Sequence, residues 1–134
     1  MIGVDTNVLV RACLEDSPTE ARVAKNFLFE AAKNKQLFIS SYAILEMVWV
    51  LKVKGKTRQQ ITDAVLNLLD SPGITVGQRD VILNAIEKYR HGKADFGDYL
   101  ILSEGAAFHT HSLATFDKIL IKENDHIKRP DKHY

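Results

Sequence analysis

The chain has 134 residues, of which 46% are hydrophobic and 26% charged, and this composition predicts one globular domain, residues 1–134, with a single core. A net charge of +1 excludes a broadly basic surface, so any contact with nucleic acid must come from local clusters of cations. The single cysteine excludes an internal disulfide and a cysteine-based metal cage; with no apolar run of membrane length and no secretory leader, we expect a cytoplasmic protein without a membrane partner.

The first half of the chain predicts two short strands, each followed by a helix. Residues 2–5 form an apolar strand that ends at Asp5, and the chain then turns into a helix. Ser17 and Pro18 are a strong helix start, and the apolar spacing continues to about Lys33. A second strand at 37–40 precedes a helix that is apolar except for Glu46.

The second half predicts further strands and helices in alternation. A capping box at 57–60 opens a helix, and a break at 70–73 leads to a strand at 74–76. Helices at 78–91 and 95–108 follow, then a strand at 111–115, a brief helix, and a charged C-terminal tail at 124–134. The alternation predicts an α/β fold with a mainly parallel central sheet of four to five short strands flanked by helices.

Four acids stand at positions that such a sheet brings to one edge. Asp5 and Asp117 follow strands, and Asp98 opens a helix that leads to a strand. Glu46 lies one to two turns into the helix after the second strand, without a charged neighbour in its apolar run. With right-handed crossovers, these positions lie toward the carboxyl ends of the strands. We therefore expect several carboxylates to converge on one crevice.

Such a cluster requires a compensating cation or retained protons. Two like charges 4 Å apart repel by roughly 4 kcal/mol at an effective dielectric constant near 20. Oxygen ligands favour Mg²⁺ or Mn²⁺ over Zn²⁺, and a hard cation with open positions activates water and holds a phosphate oxygen. The pattern points to metal-assisted hydrolysis of a phosphodiester.

Helix capping is a competing interpretation of the same acids. Asp95 and Asp98 suit the N-cap and first turn of a helix, where free amides and the helix dipole favour carboxylates. Asp117 suits the cap of a short helix that ends near Lys122. Both interpretations remain open at the level of the sequence.

The motifs nevertheless resemble, in order and over nearly the whole chain, those of PIN-domain ribonucleases and, more narrowly, VapC-type toxins of toxin–antitoxin pairs. The segments that carry the resemblance are DTNVLV from Asp5, the isolated Glu46, DFGDYLI from Asp95 and ATFD ending at Asp117. The resemblance implies a catalytic metal site with Mg²⁺ or Mn²⁺ held by Asp5, Glu46, Asp98 and Asp117. It further implies auxiliary roles for Asp95, Asn7 and Thr115. The implied partners are an RNA substrate, a VapB-like antitoxin and a second copy of the chain in a homodimer.

Candidate RNA contacts are cations near these motifs, which suit a phosphate backbone as well as a solvated helix end. They are Arg11, Lys52, Lys54, Lys56, Arg90 and Lys93. Trp49, with Leu45, Met47 and Val53, is expected mainly to pack in the core, although a groove for a partner helix is an alternative.

Three other functions compete with a nuclease. A PIN-like scaffold would bind RNA or a partner without cutting it. A phosphatase of the haloacid dehalogenase type needs a second acid two positions after Asp5, where this chain has Asn7. A receiver-like signalling module needs adjacent acids near the first strand, and Asp5 is followed by Thr6.

Overall fold

A computed structural model describes residues 1–14, 16–34 and 36–133. Its contacts divide the chain into two compact units, Met1–Arg79 and Asp80–Tyr134. We call these the first and second units. Within the described residues, no helix combines the length and the apolar character required to cross a membrane.

The first unit is a three-stranded parallel sheet with four helices. Its elements are β1 (Ile2–Gly3), α1 (Thr6–Leu14), α2 (Pro18–Lys33), β2 (Leu37–Ile39), α3 (Ser41–Val53), α4 (Arg58–Asp70) and β3 (Ile74–Val76). The strand order is β1-β2-β3, with Leu37 paired to both Ile2 and Ile74. Because every pairing is parallel, the carboxyl ends of the three strands lie at one edge of the sheet.

Caps and a turn mark where α3 and α4 begin and end. The Ser40 hydroxyl accepts a hydrogen bond from the Ala43 amide at 3.0 Å at the start of α3. Thr57 and Gln60 form the predicted reciprocal capping box of α4. Gly55 follows α3 with a φ of +88°, a conformation that favours glycine. Among them, the capping box at Thr57 confirms the prediction from the sequence.

The core of the first unit lies between the sheet and the helices. Its fully buried members come from β2, α3 and α4: Leu37, Ile39, Ile44, Met47, Ile61 and Val65. Burial on this scale stabilises the fold by about 1.5–3 kcal/mol for each large aliphatic side chain. The sheet edge next to this core is therefore a rigid platform for side chains that follow the strands.

The second unit contains three helices and a short parallel ladder. Its elements are α5 (Arg79–His91), which begins at the unit boundary, α6 (Phe96–Ala107), β4 (Leu113–Ala114), α7 (Lys118–Glu123), β5 (Ile127–Lys128) and a 3₁₀ turn (Pro130–Lys132). Leu113 pairs with Ile127 and Ala114 with Lys128. The His133 ring nitrogen Nε2 lies 3.1 Å from the Leu113 carbonyl and 3.2 Å from that of Lys128, so this side chain contacts the backbone of both strands.

The predicted α/β class with short parallel strands is confirmed, with two differences in detail. The five strands form one three-stranded and one two-stranded ladder. The strand expected at 111–115 is reduced to Leu113–Ala114, and the charged tail contains the unpredicted β5. Two-residue strands are held by backbone pairing, which leaves little pattern in the side chains.

Candidate active site

Asp5 and Glu46 are linked through one buried residue, Thr6. The β1–β2 ladder continues to Val4, whose amide donates to the Phe38 carbonyl at 3.1 Å, so Asp5 stands just past it. The Thr6 amide donates to Asp5 Oδ1 at 2.7 Å, and the Thr6 hydroxyl donates to Glu46 Oε1 at 2.8 Å. Because Thr6 is only 8% exposed, it holds both carboxylates at the carboxyl edge of the sheet.

Glu46 lies at the margin of the core, which explains an isolated acid in an apolar helix. The next residue, Met47, is fully buried, whereas Glu46 itself is half-buried. Its carboxylate therefore keeps access to water while it accepts the hydroxyl of Thr6. No large desolvation penalty arises, because the charged group is both hydrated and hydrogen-bonded.

The edge that carries Asp5 also receives polar groups from the third strand. The Gly77 amide donates to the Ile39 carbonyl at 2.8 Å and brings the end of β3 beside the end of β2. Gln78 follows with a φ of +53°, and its amide nitrogen lies 3.4 Å from the Ser41 hydroxyl. All three strand ends of the first unit thus present polar groups on one side.

Asp5 and Glu46 supply the oxygen ligands that a hard divalent cation prefers. In the part of the chain that is described, one oxygen of each carboxylate accepts a bond from Thr6, and the other oxygen of each accepts none. A pair of carboxylates with one free oxygen each fits Mg²⁺ or Mn²⁺, which bind through one or two carboxylates and keep several waters. The residues present in the first unit therefore fit such an ion.

In the second unit, Asp95 and Asp98 both lie at the start of α6. Asp95 occupies the N-cap position with extended backbone angles, but its side chain makes no capping hydrogen bond. Asp98 is in the first turn, where its amide donates to the Asp95 carbonyl at 3.1 Å. Helix capping thus accounts for the backbone at Asp95 and leaves the side chains of both acids to other contacts.

Asp117 is a helix cap. Its Oδ1 accepts hydrogen bonds from the Ile119 amide at 2.8 Å and the Leu120 amide at 3.2 Å, at the start of α7. The Asp117 amide in turn donates to the Thr115 hydroxyl at 3.0 Å. The alternative interpretation from the sequence is therefore correct for Oδ1. It leaves Oδ2 for any further role.

The predicted acids thus form three local groups. Thr6 links Asp5 to Glu46, α6 carries Asp95 with Asp98, and Thr115 orients Asp117. Across residues 1–14, 16–34 and 36–133, no group of three or more His, Cys, Asp or Glu side chains is placed to hold a metal ion. The convergence of acids from both units on one ion stays a prediction.

The candidate RNA-binding cations have different surroundings. Arg11 lies 3.7 Å from Asp16 and 3.2 Å from Glu20, and these carboxylates compensate its charge. It also lines, with the exposed Asn7, a surface cavity of about 520 Å³ between α1 and α2.

The other cations lie at the ends of α3 and α5. Arg90 pairs with Glu87 at 3.6 Å, and the Lys93 amide donates to Glu123 at 3.1 Å. Lys52 and Lys54 are exposed, whereas Lys56 is half-buried. The end of α3 therefore carries the most concentrated exposed positive charge among the candidates.

The sequence did not identify two features of the site. Thr6 was not a candidate, although a hydroxyl directly after a strand-ending acid is the signal that would have identified it. Trp49 and Val53 were expected in the core and are 65% and 63% exposed, so the expectation is wrong for these two residues, whereas Met47 is fully buried as expected. Because α3 is apolar on nearly all sides, periodicity could not separate its buried face from its exposed one.

Comparisons with known proteins agree with this arrangement at the level of the family. The family model for the PIN domain matches residues 2–126. No curated protein and no solved structure matched the chain significantly.

Proposed function

Because the chain belongs to the PIN-domain family, whose members are typically metal-dependent nucleases, we propose that it is a Mg²⁺- or Mn²⁺-dependent endoribonuclease that hydrolyses RNA phosphodiester bonds. The observation that carries the proposal is the pair of carboxylates, Asp5 and Glu46, held at the carboxyl edge of the sheet by Thr6. Asp98 and Asp117 complete the proposed set of acids, with Asp95, Asn7 and Thr115 as auxiliary residues.

Each residue has a proposed role in the reaction. Asp5, Glu46, Asp98 and Asp117 would hold the ion, which supplies an activated water and charge stabilisation for the phosphate. Thr6 fixes the orientation of the Asp5 and Glu46 carboxylates, so that both would be in place to hold the ion before the RNA binds. Thr115 orients Asp117, because its hydroxyl accepts a hydrogen bond from the backbone amide of Asp117. Exposed lysines at the end of α3 attract the RNA backbone.

We further propose that the enzyme is the toxin of a VapC-type toxin–antitoxin pair, acts in the cytoplasm as a homodimer, and is blocked by a VapB-like antitoxin. The order of the motifs from Asp5 to Asp117 supports this narrower assignment. A neighbouring gene for a small DNA-binding protein that copurifies with this chain and suppresses cleavage is the expected observation. Cleavage that no neighbouring product suppresses contradicts the toxin assignment and leaves the nuclease assignment standing.

The decisive experiment is cleavage of purified structured RNA with Mg²⁺ or Mn²⁺. We expect EDTA, Asp5→Asn and Asp98→Asn each to abolish cleavage with the fold retained by circular dichroism, because each removes the ion or one of its ligands. Asp125→Asn, a change of the same kind at an exposed acid, is the matched control and should cleave normally. Undiminished cleavage by Asp98→Asn would refute the proposed metal site.

Metal binding gives a readout that does not depend on catalysis. An ion that binds only the folded chain at one hundred times its Kd stabilises it by about 2.7 kcal/mol, so Tm should rise with Mn²⁺. We expect Asp5→Asn to lose this rise and Asp125→Asn to keep it. RNA binding without a metal-dependent rise in Tm and without cleavage would instead indicate a non-catalytic PIN-like scaffold.

A further inference from the structure

Two groups of candidate acids in the second unit lie at the starts of two different helices. Asp95 and Asp98 open α6, and Asp117 caps α7. A metal-dependent nuclease needs its acids in one fixed arrangement, because small displacements of catalytic groups are costly. Contacts that join the start of α6 to α7 therefore decide whether these acids act together.

Helix α7 is too short to hold its own position. Of its six residues, Lys118–Glu123, all of which the structure describes, Leu120 is the one that is buried. Isolated helices shorter than about 12 residues are marginal in water, so packing and contacts at the ends must stabilise this one. The Asp117 cap fixes its first turn. Its last residue, Glu123, makes the contacts at the other end.

The Glu123 carboxylate binds the segment that leads into α6. Its Oε1 accepts a hydrogen bond from the Lys93 amide at 3.1 Å, and both of its oxygens lie 2.8 Å from the Tyr99 hydroxyl. That hydroxyl in turn accepts a hydrogen bond from the Ala94 amide at 3.1 Å. One phenol–carboxylate pair therefore binds two consecutive amides directly before Asp95.

The phenol of this pair is firmly held. Tyr99 is 2% exposed, and its backbone amide closes the first turn of α6 on the Asp95 carbonyl at 3.3 Å. The chain at Gly92 lies against both partners, since a Cβ there would overlap the Tyr99 hydroxyl and stand 3.0 Å from Glu123 Oε1. Glycine at this position leaves the room that the phenol needs to reach the carboxylate.

We propose that Glu123 is a positioning residue, which through Tyr99 joins Asp98 and Asp117 into one preformed part of the metal site. The inference rests on the proposed function for the role of these acids, and it adds a residue that holds them in place. Asp98 directly precedes Tyr99, and Asp117 caps the helix that ends at Glu123. Thr6 joins two acids of the first unit in a comparable way.

The contacts of Glu123 suit a positioning residue better than a metal ligand. Its carboxylate is engaged by the Tyr99 hydroxyl and the Lys93 amide, and an ion that replaced these donors would release the start of α6 from α7. Both donors need only an oxygen acceptor, which the side-chain carbonyl of glutamine also provides. The positioning role therefore does not depend on the negative charge, whereas a role as ligand does.

Replacement of Glu123 by alanine and by glutamine tests the proposal. Glu123 is exposed, so both variants should fold. Loss of a group that orients metal ligands typically costs tenfold to a hundredfold in metal affinity or activity. For Glu123→Ala we expect calorimetric titration with Mn²⁺ to give a dissociation constant about tenfold higher, and kcat for RNA cleavage to fall about tenfold. Glu123→Gln should retain most of both.

The matched control is Glu104→Ala, at an exposed glutamate of α6, and it should bind Mn²⁺ like the wild type. Equal Mn²⁺ affinities of Glu123→Ala and Glu104→Ala would overturn the proposal. Equal losses in Glu123→Gln and Glu123→Ala would also overturn it, because the charge rather than the hydrogen bonds would then be the cause.

A double variant tests whether Glu123 acts through Tyr99. Residues that act through one contact have effects that do not add. Glu123→Ala combined with Tyr99→Phe should therefore bind Mn²⁺ about as weakly as the weaker of the two single variants. Independent effects, which multiply in the dissociation constant, would contradict action through Tyr99.

NMR spectra of the metal-free protein separate this inference from the proposed function. In Glu123→Ala we expect the amide signals of both Asp98 and Asp117 to shift, and in Glu104→Ala we expect that of Asp117 to stay in place. Unchanged Asp98 and Asp117 signals in Glu123→Ala contradict the link between the two helices and leave the nuclease standing. Shifts of both signals in a protein whose wild type neither binds Mn²⁺ nor cleaves RNA support the link and contradict the nuclease.

Discussion

A threonine lies one residue after Asp5 and another lies two residues before Asp117, and the two threonines make different hydrogen bonds. Thr6 donates through its amide to Asp5 and through its hydroxyl to Glu46. Thr115 accepts at its hydroxyl from the Asp117 amide. Both side chains are short and β-branched, and the hydroxyl of Thr6 binds a carboxylate whereas that of Thr115 binds a backbone amide. Orientation of the acids is therefore built into the residues beside them.

Replacement of Thr6 by valine tests this role. Valine keeps the shape and the backbone bond to Asp5 but removes the hydroxyl that binds Glu46. We expect kcat for RNA cleavage to fall roughly tenfold to a hundredfold, because small displacements of catalytic groups are costly. The free energy of unfolding should change by only about 1 kcal/mol, since water can solvate the half-buried carboxylate.

Thr6→Ser is the matched control, because serine restores the hydroxyl and should restore most of kcat. Equal kcat values for the valine variant and the wild type would show that the hydroxyl does not position Glu46. Chemical denaturation of all three proteins separates an effect on the site from an effect on the fold.

Tyr99 and Glu123 form a polar contact in the second unit. The Tyr99 hydroxyl lies 2.8 Å from both Glu123 carboxylate oxygens and accepts a bond from the Ala94 amide at 3.1 Å. Burial, reinforced by the Glu123 carboxylate, raises the pKa of Tyr99 above its usual value of 10.0. The folded chain therefore favours the protonated phenol.

This shift predicts a loss of stability in alkali. Because the folded pKa of Tyr99 is raised, its contribution is fully present below the unfolded pKa of about 10 and is lost as the pH rises through the folded pKa. Tyr99→Phe should lower stability at neutral pH by about 1–3 kcal/mol, through the loss of the hydrogen bonds that the phenol makes with Ala94 and Glu123, and flatten this alkaline decline. Denaturation midpoints measured across that range provide the check.

Tyr42→Phe, at an exposed phenol, is the control and should follow the wild-type pH profile. An unchanged alkaline decline in Tyr99→Phe would place its cause elsewhere in the chain.

At the scale of elements, two turns contain a glycine with a positive φ. A larger residue would cause only backbone strain at one of them, and both backbone strain and steric overlap at the other. Gly55 has a φ of +88° and open space where a Cβ would stand. Gly73 has a φ of +83°, but a Cβ there would stand 1.8 Å from the Ala32 carbonyl oxygen. The turn between α4 and β3 thus lies directly against the backbone of α2.

Substitution of each glycine by alanine should have unequal effects. Gly55→Ala carries only the cost of a left-handed conformation, about 1 kcal/mol, because nothing obstructs the new methyl group. Gly73→Ala adds overlap with a backbone oxygen and should cost about 3 kcal/mol or more. Urea denaturation measures both, and equal losses would show that the α2 backbone yields to the methyl group.

The sequence predicts elements well where local chemistry marks their ends. The start of α2 at Pro18 and the capping box at Thr57 could be identified because side chains satisfy or replace backbone groups there. The strands β4 and β5 depend on pairing between residues about 14 positions apart, which no local pattern records. The exposed face of α3 was missed because its apolar residues surround the helix.

For the acids too, the sequence predicts contacts with neighbouring residues better than contacts between distant parts of the chain. Asp5 and Glu46 could be predicted to lie near each other because both follow parallel strands that end at one edge of the sheet, and Thr6 binds both carboxylates. The cap at Asp117 was one of two open interpretations, decided by the amides of Ile119 and Leu120. Which acids share an ion depends on distances that sequence spacing does not contain.

For the whole molecule, a net charge of +1 limits the electrostatic part of RNA binding. With two to four phosphates neutralised locally, log K should fall with log salt concentration at a slope of about −1.4 to −2.8. Lys54→Ala should reduce that slope by about 0.7. Lys25→Ala, an exposed lysine on α2, is the control. Equal slopes for the two variants would exclude a phosphate contact at Lys54.

The pairing of β4 with β5 shows that the folded domain extends beyond the C-terminal end of the family match. The family match ends at residue 126, one position before Ile127, yet Ile127 is buried and both of its strand's residues pair with β4. A chain that ended at residue 126 would lack both residues of β5 and would leave the amide of Thr115 without its acceptor, the carbonyl of Lys128. In such a truncated protein β4 would lack its paired strand near Asp117, and its free backbone groups could pair with a strand of another molecule.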